Sequence, residues 1–494
     1  MKLAGLLRDV AVLSSSGDLD AVITMVTADS RLAKPGSLFV AIPGFQQDGA
    51  AFIESARSKG ATAIVSAAGA TAIQGTHVLV EDPRAALALI AANFHGRPAA
   101  GLSLIGVTGT SGKTTTAKMI ESILDAGDEP VGLIGTIEYR AGDERLNADR
   151  TTPDAVVLQE WFAKMRDAKV RHAVMEVSSH ALSLKRTHGL RFDAAVFTNL
   201  SRDHFDFHKD FDDYFAAKRI LFDQIDRTRR SAVVNLDDPY GLRLATELGR
   251  ETVFGFGRGA DVDIQPVKGF EISVRGLRGR VMTPAGQIRI ESSLLGLPNL
   301  YNWLAAIGAA IAVDIPIATI EAGVRNLDSV RGRFERVPSD GGPTVIVDYA
   351  HKPDAMEKLL HAVRELADGK RVVVLFGCGG DRDKGKRPQM GEIAGRLADR
   401  AILTSDNPRG EKPEAILDEI EKGMGAIDPK KYTRIADRRE AIASTIAGAD
   451  ESDVIVIAGK GHETYQVMGD QILHFDDREE AELALKKRSV KSTL

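Results

Sequence analysis

The segment "LSLIGVTGTSGKTTT" (102–116) constrains the possible fold more than any other part of the sequence. Its apolar beginning is typical of a buried strand, its glycine-rich middle is typical of a phosphate-binding loop, and an amphipathic helical pattern follows. A strand that enters such a loop and leaves it as a helix belongs to an open parallel sheet. We therefore expect an α/β protein with mostly parallel sheets.

The rest of the chain supports the α/β prediction. Short apolar runs alternate with helical patterns, as at "SLFVAI" (37–42), "AVMEV" (173–177) and "RVVVLFG" (371–377). At 494 residues the chain is too long for one hydrophobic core. A linker at "HGRPAAG" (95–101) and a β-rich insertion at about 251–293 suggest further divisions. We predict three domains, at residues 1–98, 99–335 and 336–494.

Charge and composition exclude several classes of partner. The chain has 64 Lys and Arg against 69 Asp and Glu, and because these are mixed throughout, it has no basic stripe for a nucleic-acid backbone. Arg8 and Asp9 interrupt the first apolar run, and no apolar stretch reaches the roughly 18–20 residues of a membrane span. The single cysteine, Cys378, excludes an intrachain disulfide. We expect a cytoplasmic monomer that acts on small molecules, without nucleic acid or membrane insertion.

The glycine-rich loop predicts a nucleoside triphosphate site. Gly109 and Gly112 would let backbone N–H groups approach a polyphosphate, Lys113 would reach the terminal phosphates and Thr114 would hold Mg²⁺. The usual motif has a glycine where this chain has Val107, so the loop is a shortened form. A glycine-rich turn without a ligand is the alternative. The predicted loop residues are Gly109, Thr110, Ser111, Gly112, Lys113, Thr114 and Thr115.

Polar clusters follow nearly every predicted strand of the second and third domains. In open α/β sheets ligands bind beyond the carboxyl ends of the strands, where these clusters fall. Solvated turns would explain one or two of them, but not eight. The clusters are "TGTSGKTTT", "EVSSH", "TNLSRDH", "NLDDP", "DYAHKPD", "GCGGDRDKGKRP", "SDNPRG" and "GKGHE".

Several residues in and near these clusters have two readings. Glu176 ends an apolar strand, which suits a magnesium ligand or a water-holding group, although a buried ion pair is the alternative. Of His204 and His208, one is predicted at the metal or phosphates and the other in the core or on the surface. By residue type alone, Lys218 would be a surface lysine whose stem covers apolar groups.

The segment "SDNPRG" (405–410) places an acid, an amide and a guanidinium within four residues. Alone, it would read as a turn before a helix. The nearby "GCGGDRD" suggests a dinucleotide fingerprint, but Arg382 stands at the third glycine position and no acidic ribose partner is evident. We therefore do not expect NAD binding.

Taken together, these motifs resemble the Mur ligase family, and within it the type that adds diaminopimelate. The likeness extends in order from "DSR" (29–31) to "GKGHE" (459–463). It implies an N-terminal uridine-nucleotide domain, a central P-loop ATPase domain and a C-terminal Rossmann-like domain. It also implies an enzyme of peptidoglycan precursor synthesis. ATP would phosphorylate the D-glutamate γ-carboxylate of UDP-N-acetylmuramoyl-L-alanyl-D-glutamate, and the amine of meso-diaminopimelate would attack the acyl phosphate.

The resemblance also implies roles for individual residues. Two Mg²⁺ ions would be held by Thr114, Glu176, His204 and Lys218, the last as a carbamate formed with CO₂. The catalytic residues would be Lys113, Glu176, His204, Lys218 and Arg333, and further ATP contacts would come from Asn302, Arg333 and Asp348. The uridine-linked substrate would contact Ser30, Phe45, Gln46, Gln47, Thr151, Thr152, Ser178 and Arg186. Diaminopimelate would contact Arg382, Asp406, Asn407, Arg409, Gly459 and Glu463.

The sequence departs from the family pattern at two positions, and rival functions are also compatible with it. Phe45 stands where relatives often have His, and Leu184 where they often have Gln. Lysine-adding, dipeptide-adding and folate-polyglutamating enzymes are rivals within the superfamily, and a nucleotide switch that makes no bond is a rival from another class. "DNPR" favours diaminopimelate, because lysine has no distal carboxylate and would leave Arg409 without an anion.

Overall fold

The computed structural model describes residues 1–44, 48–68, 74–339, 341–425 and 428–492. It divides into two compact units, Met1–Gln265 with Leu304–Gly323, and Pro266–Trp303 with Val324–Leu494. The predicted α/β class with mostly parallel sheets is confirmed. The three-domain boundaries given above stay predictions.

A five-stranded sheet opens the first unit. Its strands are β1 (Val12–Ser16), β2 (Met25–Thr27), β3 (Ser37–Val40), β4 (Ala63–Ala67) and β5 (Thr76–Val80), and its helices are α1 (Leu3–Leu6), α2 (Ile53–Ser58) and α3 (Pro83–Phe94). The strand order is β1-β5-β4-β3-β2, and only β1 is antiparallel to its neighbour. Side chains alternate between two faces, so Leu38 and Val65 join the core under α1 and α3, while Phe39 and Ile64 pack with α2.

The second sheet of this unit has eight strands. They are β6 (Ser103–Thr108), β7 (Val131–Ile134), β8 (Glu138–Ala141), β9 (Glu144–Asn147), β10 (His172–Glu176), β11 (Ala194–Phe197), β12 (Ala232–Asn235) and β13 (Val253–Phe256). Their order is β13-β12-β11-β6-β10-β7-β8-β9, with β8 and β9 antiparallel. The helices are α4 (Lys113–Asp125), α5 (Ala155–Asp167), α6 (Ser179–Ser183), α7 (Phe211–Arg219) and α8 (Pro239–Leu248). Strand β6 is central, so the loop after it lies between the ends of β10 and β11.

The predicted start of the β-rich insertion was wrong. Strand β13 falls inside the predicted range 251–293, yet it pairs in parallel with β12 and so belongs to the eight-stranded sheet. The inserted sheet comprises β14 (Gln265–Pro266), β15 (Glu271–Ser273), β16 (Gly276–Thr283) and β17 (Gly286–Ser292). In β17 the buried residues alternate with exposed ones, as expected of an antiparallel strand with one solvated face.

Two helices follow the insertion, α9 (Gly296–Ala312) and α10 (Ile317–Asn326). The side chain of Trp303 on α9 is fully buried, and its Nε1 donates to Ser292 Oγ at 3.0 Å. Although α9 is strongly apolar, it is a helix of the protein core. In the part of the chain that the structure describes, no helix is both long and apolar enough to cross a membrane.

The second unit is built around a six-stranded sheet. The strands are β18 (Glu335–Arg336), β19 (Thr344–Asp348), β20 (Val372–Phe376), β21 (Arg400–Leu403), β22 (Tyr432–Arg434) and β23 (Val454–Ala458), in the order β18-β19-β23-β20-β21-β22. Only β18 is antiparallel to its neighbour. The helices are α11 (Pro353–Ala367), α12 (Lys386–Leu397), α13 (Pro413–Lys422), α14 (Arg438–Ala447) and α15 (Asp477–Ser492), and a hairpin is formed by β24 (Tyr465–Met468) and β25 (Gln471–His474).

Helices cover both faces of this sheet. Val374 and Val456 join one core with α11, α12 and α13, whereas their neighbours Val373 and Ile455 join another with α14 and α15. Because successive side chains point to opposite faces, strands buried on both sides are apolar at every position. The continuous run "VVVLF" of β20 is therefore a consequence of its central place in the sheet.

A buried ion pair fixes the carboxyl ends of two strands in this unit. The Arg438 guanidinium donates from Nε and Nη2 to Asp477 at 2.7 Å, and neither side chain is exposed. The same guanidinium donates to the carbonyl oxygens of Ser405 at 3.2 Å and Ala458 at 3.0 Å. These carbonyls lie just after β21 and at the end of β23, so the pair positions the loops that continue from both strands.

We predict that Asp477→Asn lowers the free energy of unfolding of this unit by about 3–5 kcal/mol, because it leaves the buried Arg438 cation without a counter-ion. Urea denaturation followed by circular dichroism and hydrogen exchange would measure the loss. Arg439→Gln is the matched control, since the Arg439–Glu480 pair on the same two helices has an arginine that is 62% exposed. Equal losses in the two variants would contradict the prediction.

Candidate active site

The glycine-rich loop after β6 depends on two glycines with left-handed backbone. Gly109 has φ +149°, and a Cβ there would lie 1.9 Å from Thr198 Oγ1. Gly112 has φ +85° and is the N-cap of α4. Only glycine combines this backbone with such a close approach to the next strand end. The loop therefore has the backbone that a phosphate-binding loop requires.

Residues from the neighbouring strand end hold this loop in place. The Thr110 backbone N–H donates to Asn199 O at 2.8 Å, and the Ser111 N–H donates to Asn199 Oδ1 at 3.0 Å. Lys113 Nζ reaches back over the loop and donates to the carbonyl oxygens of Gly109 at 2.9 Å and Thr110 at 3.0 Å. The lysine ammonium thus lies over the loop.

Glu176 lies beside the loop, at the end of β10, and is 1% exposed. Its carboxylate accepts hydrogen bonds from the Thr136 N–H at 2.7 Å, Thr114 Oγ1 at 2.9 Å and Thr136 Oγ1 at 3.1 Å. Thr136 Oγ1 is also 3.0 Å from Thr151 Oγ1. Among the described residues, Glu176 bonds to threonines and backbone, so the ion-pair alternative is not what the structure contains. A buried carboxylate next to the Thr114 hydroxyl is a suitable oxygen donor set for a hard cation.

The two histidines of "SRDHFDFH" have different environments. His208 has a side chain that is 1% exposed, and its ring nitrogens lie 3.0 Å from Ser179 Oγ and 3.2 Å from Asp213 Oδ2. The His204 side chain is 37% exposed, its Nε2 lies 3.5 Å from Asp203 Oδ2, and its backbone has φ +56°. His208 is thus the core histidine of the two alternatives, and His204 is the one that a ligand can reach.

Lys218 is a buried lysine, so the residue-type expectation of a surface side chain was wrong. It is 1% exposed, its Nζ donates to Gly109 O at 2.7 Å, and the ammonium lies 4.5 Å from the centre of the Tyr214 ring. Burial lowers the pKa of Lys218 well below its usual value, and the nearby Lys113 charge lowers it further. Lys218 therefore touches the phosphate loop from inside the domain, in an environment that disfavours a cation.

Four of the predicted substrate residues lie at the end of β10. Thr152 Oγ1 donates to the carbonyl oxygen of Glu176 at 2.8 Å and accepts from the Ser178 N–H at 3.1 Å. Arg186 Nη1 donates to the Thr152 carbonyl at 2.7 Å, and burial lowers the pKa of Arg186. Thr151 joins this group through Thr136, as described above. The structure thus brings Thr151, Thr152, Ser178 and Arg186 together beside Glu176.

The other predicted substrate residues belong to the first sheet. Ser30 follows β2, is 9% exposed, and its carbonyl oxygen accepts from Lys59 Nζ at 3.1 Å. Phe45, Gln46 and Gln47 lie outside the described residues. Leu184, the second departure from the family pattern, is the half-buried C-cap of α6, two residues before Arg186.

In the second unit, Arg333 and Asp348 lie near the end of β19. The Arg333 guanidinium stacks over the Tyr349 ring at 4.8 Å, and within the described residues its buried Nε has no hydrogen-bond partner. The Asp348 carboxylate accepts from the backbone N–H groups of Phe334 at 2.7 Å and Ala350 at 2.8 Å. Burial raises the pKa of Asp348, and the Arg333 charge opposes this. A buried N–H without a partner can donate to a bound water or to a polar ligand.

Asn302 and His462 are two further polar groups of the second unit. Asn302 on α9 is 8% exposed, and its Nδ2 donates to Asn299 Oδ1 at 3.2 Å. His462 was not predicted; its ring lies 4.9 Å from the Tyr349 ring, and burial lowers its pKa to about 4. Its place in "GKGHE", after the apolar strand β23, was the only sequence signal for it.

The residues predicted to bind diaminopimelate surround a buried lysine that the prediction missed. Lys460 Nζ, which is not exposed, donates to Asn407 Oδ1 at 3.1 Å and to Glu463 Oε2 at 3.2 Å, and lies 3.5 Å from Asp406 Oδ1. Asn407 Nδ2 also donates to Glu463 Oε2 at 3.0 Å. We call Asp406, Asn407, Arg409, Lys460 and Glu463 the charged cluster. Lys460 was visible in "GKGHE", but nothing in the sequence marks it as buried.

Glycines after β20 explain how Arg409 reaches this cluster. Arg409 has φ +53°, and its Nη1 donates to Gly380 O at 2.9 Å. A Cβ at Gly379 would lie 2.9 Å from Arg409 Nη1, and a Cβ at Gly380 would lie 1.8 Å from Pro408 O. The glycines of "GCGG" therefore allow two loops to pack closely.

The last two predicted residues lie at the margin of the cluster. Arg382 is exposed, its Nη1 is 3.5 Å from Asp381 O, and its Cγ would lie 3.6 Å from a Cβ at Gly379. Gly459, directly after β23, has φ +118° and donates its N–H to Asp348 O at 3.1 Å. Gly379 thus brings Arg382 and Arg409 to one place.

The β24–β25 hairpin is hydrogen-bonded to the loop that carries the cluster. Gln466 Nε2 donates to Asp406 O at 2.7 Å, and the Val467 N–H donates to Asn407 Oδ1 at 3.0 Å. The Arg409 N–H in turn donates to Val467 O at 3.0 Å. The hairpin therefore fixes both the backbone and the amide orientation of this loop.

The donors in the first unit fit a divalent cation with oxygen ligands. In the described ranges, no group of three or more His, Cys, Asp or Glu side chains is arranged to hold a metal ion. The Thr114 hydroxyl and the Glu176 carboxylate are 2.9 Å apart. Mg²⁺ usually keeps several waters and takes one or two carboxylates together with substrate phosphates, so such a small donor set suits it.

Three protein-family domains match the chain. They are the "Mur ligase family, catalytic domain" at residues 22–95, the "Mur ligase middle domain" at 107–310 and the "Mur ligase, glutamate ligase domain" at 332–461. The three matches follow one another in order and together cover most of the sequence.

Curated relatives match over almost their whole length. Proteins named UDP-N-acetylmuramoyl-L-alanyl-D-glutamate–2,6-diaminopimelate ligase are 43% identical in Geobacter metallireducens, covering 99% of both chains, and 45% identical in Gloeobacter violaceus, covering 95% of both. A solved structure with the same name has a TM-score of 0.70 at 30% identity over 94% of this chain and 95% of that one. The structure of MurF from Thermotoga maritima with ADP has a TM-score of 0.57 at 20% identity over 96% of this chain and 99% of that one, which supports the fold alone.

We predict that Gly109→Ala weakens nucleotide binding by a factor on the order of 10², because the new methyl group displaces the loop from Thr198. Isothermal titration with ATP and with ADP would measure the change. Gly101→Ala is the control, since a Cβ there meets no atom within 4 Å. Unchanged nucleotide affinity in Gly109→Ala would show that this loop does not bind the phosphates.

Proposed function

The chain belongs to the Mur ligase family, and from this premise we propose that it adds meso-diaminopimelate to UDP-N-acetylmuramoyl-L-alanyl-D-glutamate with the consumption of ATP. The product is a tripeptide precursor of peptidoglycan. In the first step, the D-glutamate γ-carboxylate attacks the γ-phosphorus of ATP, and ADP leaves. In the second, an amine of diaminopimelate attacks the acyl phosphate, and phosphate leaves as the amide bond forms.

The observation that carries this proposal is the charged cluster of the second unit. The distal end of diaminopimelate is a zwitterion, so its binding site needs an anion for the ammonium and a cation for the carboxylate. Asp406 and Glu463 supply the first, and the Arg409 guanidinium supplies the second with a planar fork suited to carboxylates. Arg382, Asn407 and Gly459 are proposed to complete the contacts.

The first unit supplies the groups for phosphoryl transfer. Such transfer requires positioning and charge neutralisation more than covalent chemistry from the protein. Lys113 and the backbone N–H groups of the loop are proposed to hold the β- and γ-phosphates. Thr114, Glu176 and His204 would hold two Mg²⁺ ions, which when bound supply positive charge to the phosphates. Asn302, Arg333 and Asp348 belong to the second unit and are proposed as further ATP contacts.

Lys218 is proposed to act as a carbamate formed with CO₂. Only a neutral amine reacts with CO₂, and the burial that lowers the pKa of Lys218 favours the neutral form. Carbamylation replaces a buried cation with an anion able to bind a divalent cation. Lys218 Nζ contacts Gly109 O, so a carbamate formed on it would lie next to the phosphate loop, which supports this proposal.

The uridine-linked substrate is proposed to contact both sheets of the first unit. Thr151, Thr152, Ser178 and Arg186 lie beside Glu176 and would hold the muramoyl dipeptide, with Arg186 as the cation for its carboxylates. Ser30 and the segment Phe45, Gln46 and Gln47 would contact the uridine nucleotide. We propose that the reaction takes place in the cytoplasm and that the acting form is a monomer.

The function is tested by incubating the protein with ATP, Mg²⁺ and the uridine-linked dipeptide, and adding meso-diaminopimelate or L-lysine in parallel. We expect a tripeptide of the diaminopimelate mass together with one phosphate per product, and little product with lysine. Equal use of lysine would assign the chain to the lysine-adding type. Phosphate release without any amide product would support the nucleotide-switch alternative.

We predict that Lys218→Ala lowers the ligation rate by about 10²–10³, as expected when a charge-stabilising group is removed. Carbon-13 NMR of the wild type in ¹³C-bicarbonate should show one protein-bound carbamate signal that is absent from Lys218→Ala. Lys209→Ala, which removes an exposed lysine nine residues earlier, should keep both the signal and the activity. A carbamate signal that persists in Lys218→Ala would assign the modification to another residue.

A further inference from the structure

We propose that Lys460 is a positioning residue that sets the net charge of the acceptor site and thereby its preference for a zwitterion over a simple ammonium. The proposal rests on the function proposed above. It assigns to Lys460 a role in acceptor selectivity.

Lys460 is too deeply buried to act as a surface cation. It is 0% exposed, and its Nζ contacts Asn407 Oδ1, Glu463 Oε2 and Asp406 Oδ1 within 3.5 Å. A lysine side chain in such a place must have its charge compensated, because burial of an isolated charge is costly. Its three partners include Asp406 and Glu463, the two residues that would bind the acceptor ammonium.

The charges of the cluster also indicate a role for Lys460 in acceptor preference. Asp406 and Glu463 are two anions, while Lys460 and Arg409 are two cations, so the charges of these four buried or half-buried side chains cancel before the acceptor binds. Arg382 at the margin is exposed, and solvent screens its charge. Arg438 lies nearby, but its charge is matched by Asp477. A neutral site can take a zwitterionic group without a change in net charge. A lone ammonium would leave one uncompensated positive charge and an unpaired Arg409.

One carboxylate oxygen of Asp406 keeps its capacity to accept a hydrogen bond. Asp406 is 9% exposed, and within the described residues its Oδ1 accepts no hydrogen bond, although Lys460 Nζ lies at ion-pair distance. Buried carboxylate oxygens without a hydrogen bond are uncommon in native proteins. Lys460 therefore compensates the charge of Asp406 at ion-pair distance, and Asp406 Oδ1 keeps the capacity to accept a further hydrogen bond.

Lys460 also determines the orientation of the Asn407 side-chain amide. Lys460 has no acceptor capacity, so the Asn407 oxygen must face it, and the Asn407 Nδ2 then faces Glu463 Oε2 at 3.0 Å. The Val467 N–H bonds to the same Asn407 oxygen at 3.0 Å. Lys460 thus fixes the amide of Asn407 and one oxygen of Glu463 together.

The test is Lys460→Met, assayed with both acceptors. Without the lysine charge the cluster carries one net negative charge, which repels the distal carboxylate of diaminopimelate and favours the distal ammonium of lysine. We expect the ratio of kcat/KM for diaminopimelate over lysine to fall by at least about 10-fold. The KM for diaminopimelate should rise while the KM values for ATP and the uridine-linked dipeptide stay unchanged.

Two further variants separate this role from a structural one. Arg371→Met removes a cation that pairs with the buried Asp453 where β20 and β23 begin, at the edge of the sheet opposite to the charged cluster. This variant should lose stability but keep the ratio of kcat/KM for the two acceptors unchanged. Lys460→Gln keeps a hydrogen-bond donor without charge and serves if Lys460→Met does not fold. It should shift the ratio in the same direction.

The possible results are distinct. A lowered ratio in the Lys460 variants and an unchanged ratio in Arg371→Met would support the proposal. Equal losses with both acceptors would overturn it and leave Lys460 a structural residue. A wild type that ligates neither acceptor would overturn the proposed function, and the proposal on Lys460 with it.

Discussion

The close approach of loops at the carboxyl ends of parallel strands is the constraint on which the rest of this structure depends. In the first unit a Cβ at Gly109 would collide with Thr198, and in the second a Cβ at Gly380 would collide with Pro408. Parallel strands end at the same edge, so the loops that follow them compete for the same space. Glycine allows the backbones to come close enough for polar side chains from different strands to meet, and the functional groups of each unit are built on these contacts.

Buried charges are compensated differently in the two units. In the second unit Lys460 and Arg438 are fully buried but each has a carboxylate partner. In the first unit Lys218 is equally buried, and its Nζ donates to a carbonyl oxygen and lies over an aromatic ring. A buried cation without a carboxylate partner is unfavourable, whereas a paired one is stable. This contrast explains why chemical modification is proposed for Lys218 and a positioning role for Lys460.

Much of the fold and of the candidate site could be predicted from the sequence, and the predictions that were wrong or missing have physical reasons. The strand–loop–helix unit at residues 102–116 was readable because local periodicity and glycine spacing determine it. The sheet that β13 joins was not, because strand pairing is a long-range property. The burial of Lys218 and Lys460 was also hidden, since a lysine is ordinarily a surface residue and only tertiary packing reverses this. His204 and His208 could be told apart only by their partners, which come from elements distant in sequence or from the fold of the loop itself.

The hairpin β24–β25 has a consequence for how the protein forms. Its bonds to the loop at 405–410 join residues up to 60 positions apart, and Lys460 is 53 positions from Asn407. During synthesis the loop leaves the ribosome well before these partners exist. Closing a loop of this length costs chain entropy, and this cost rises slowly with the number of residues enclosed. The charged cluster is therefore completed only after residues 460–467 have been synthesised, and a nascent chain that contains only β20 and β21 lacks it.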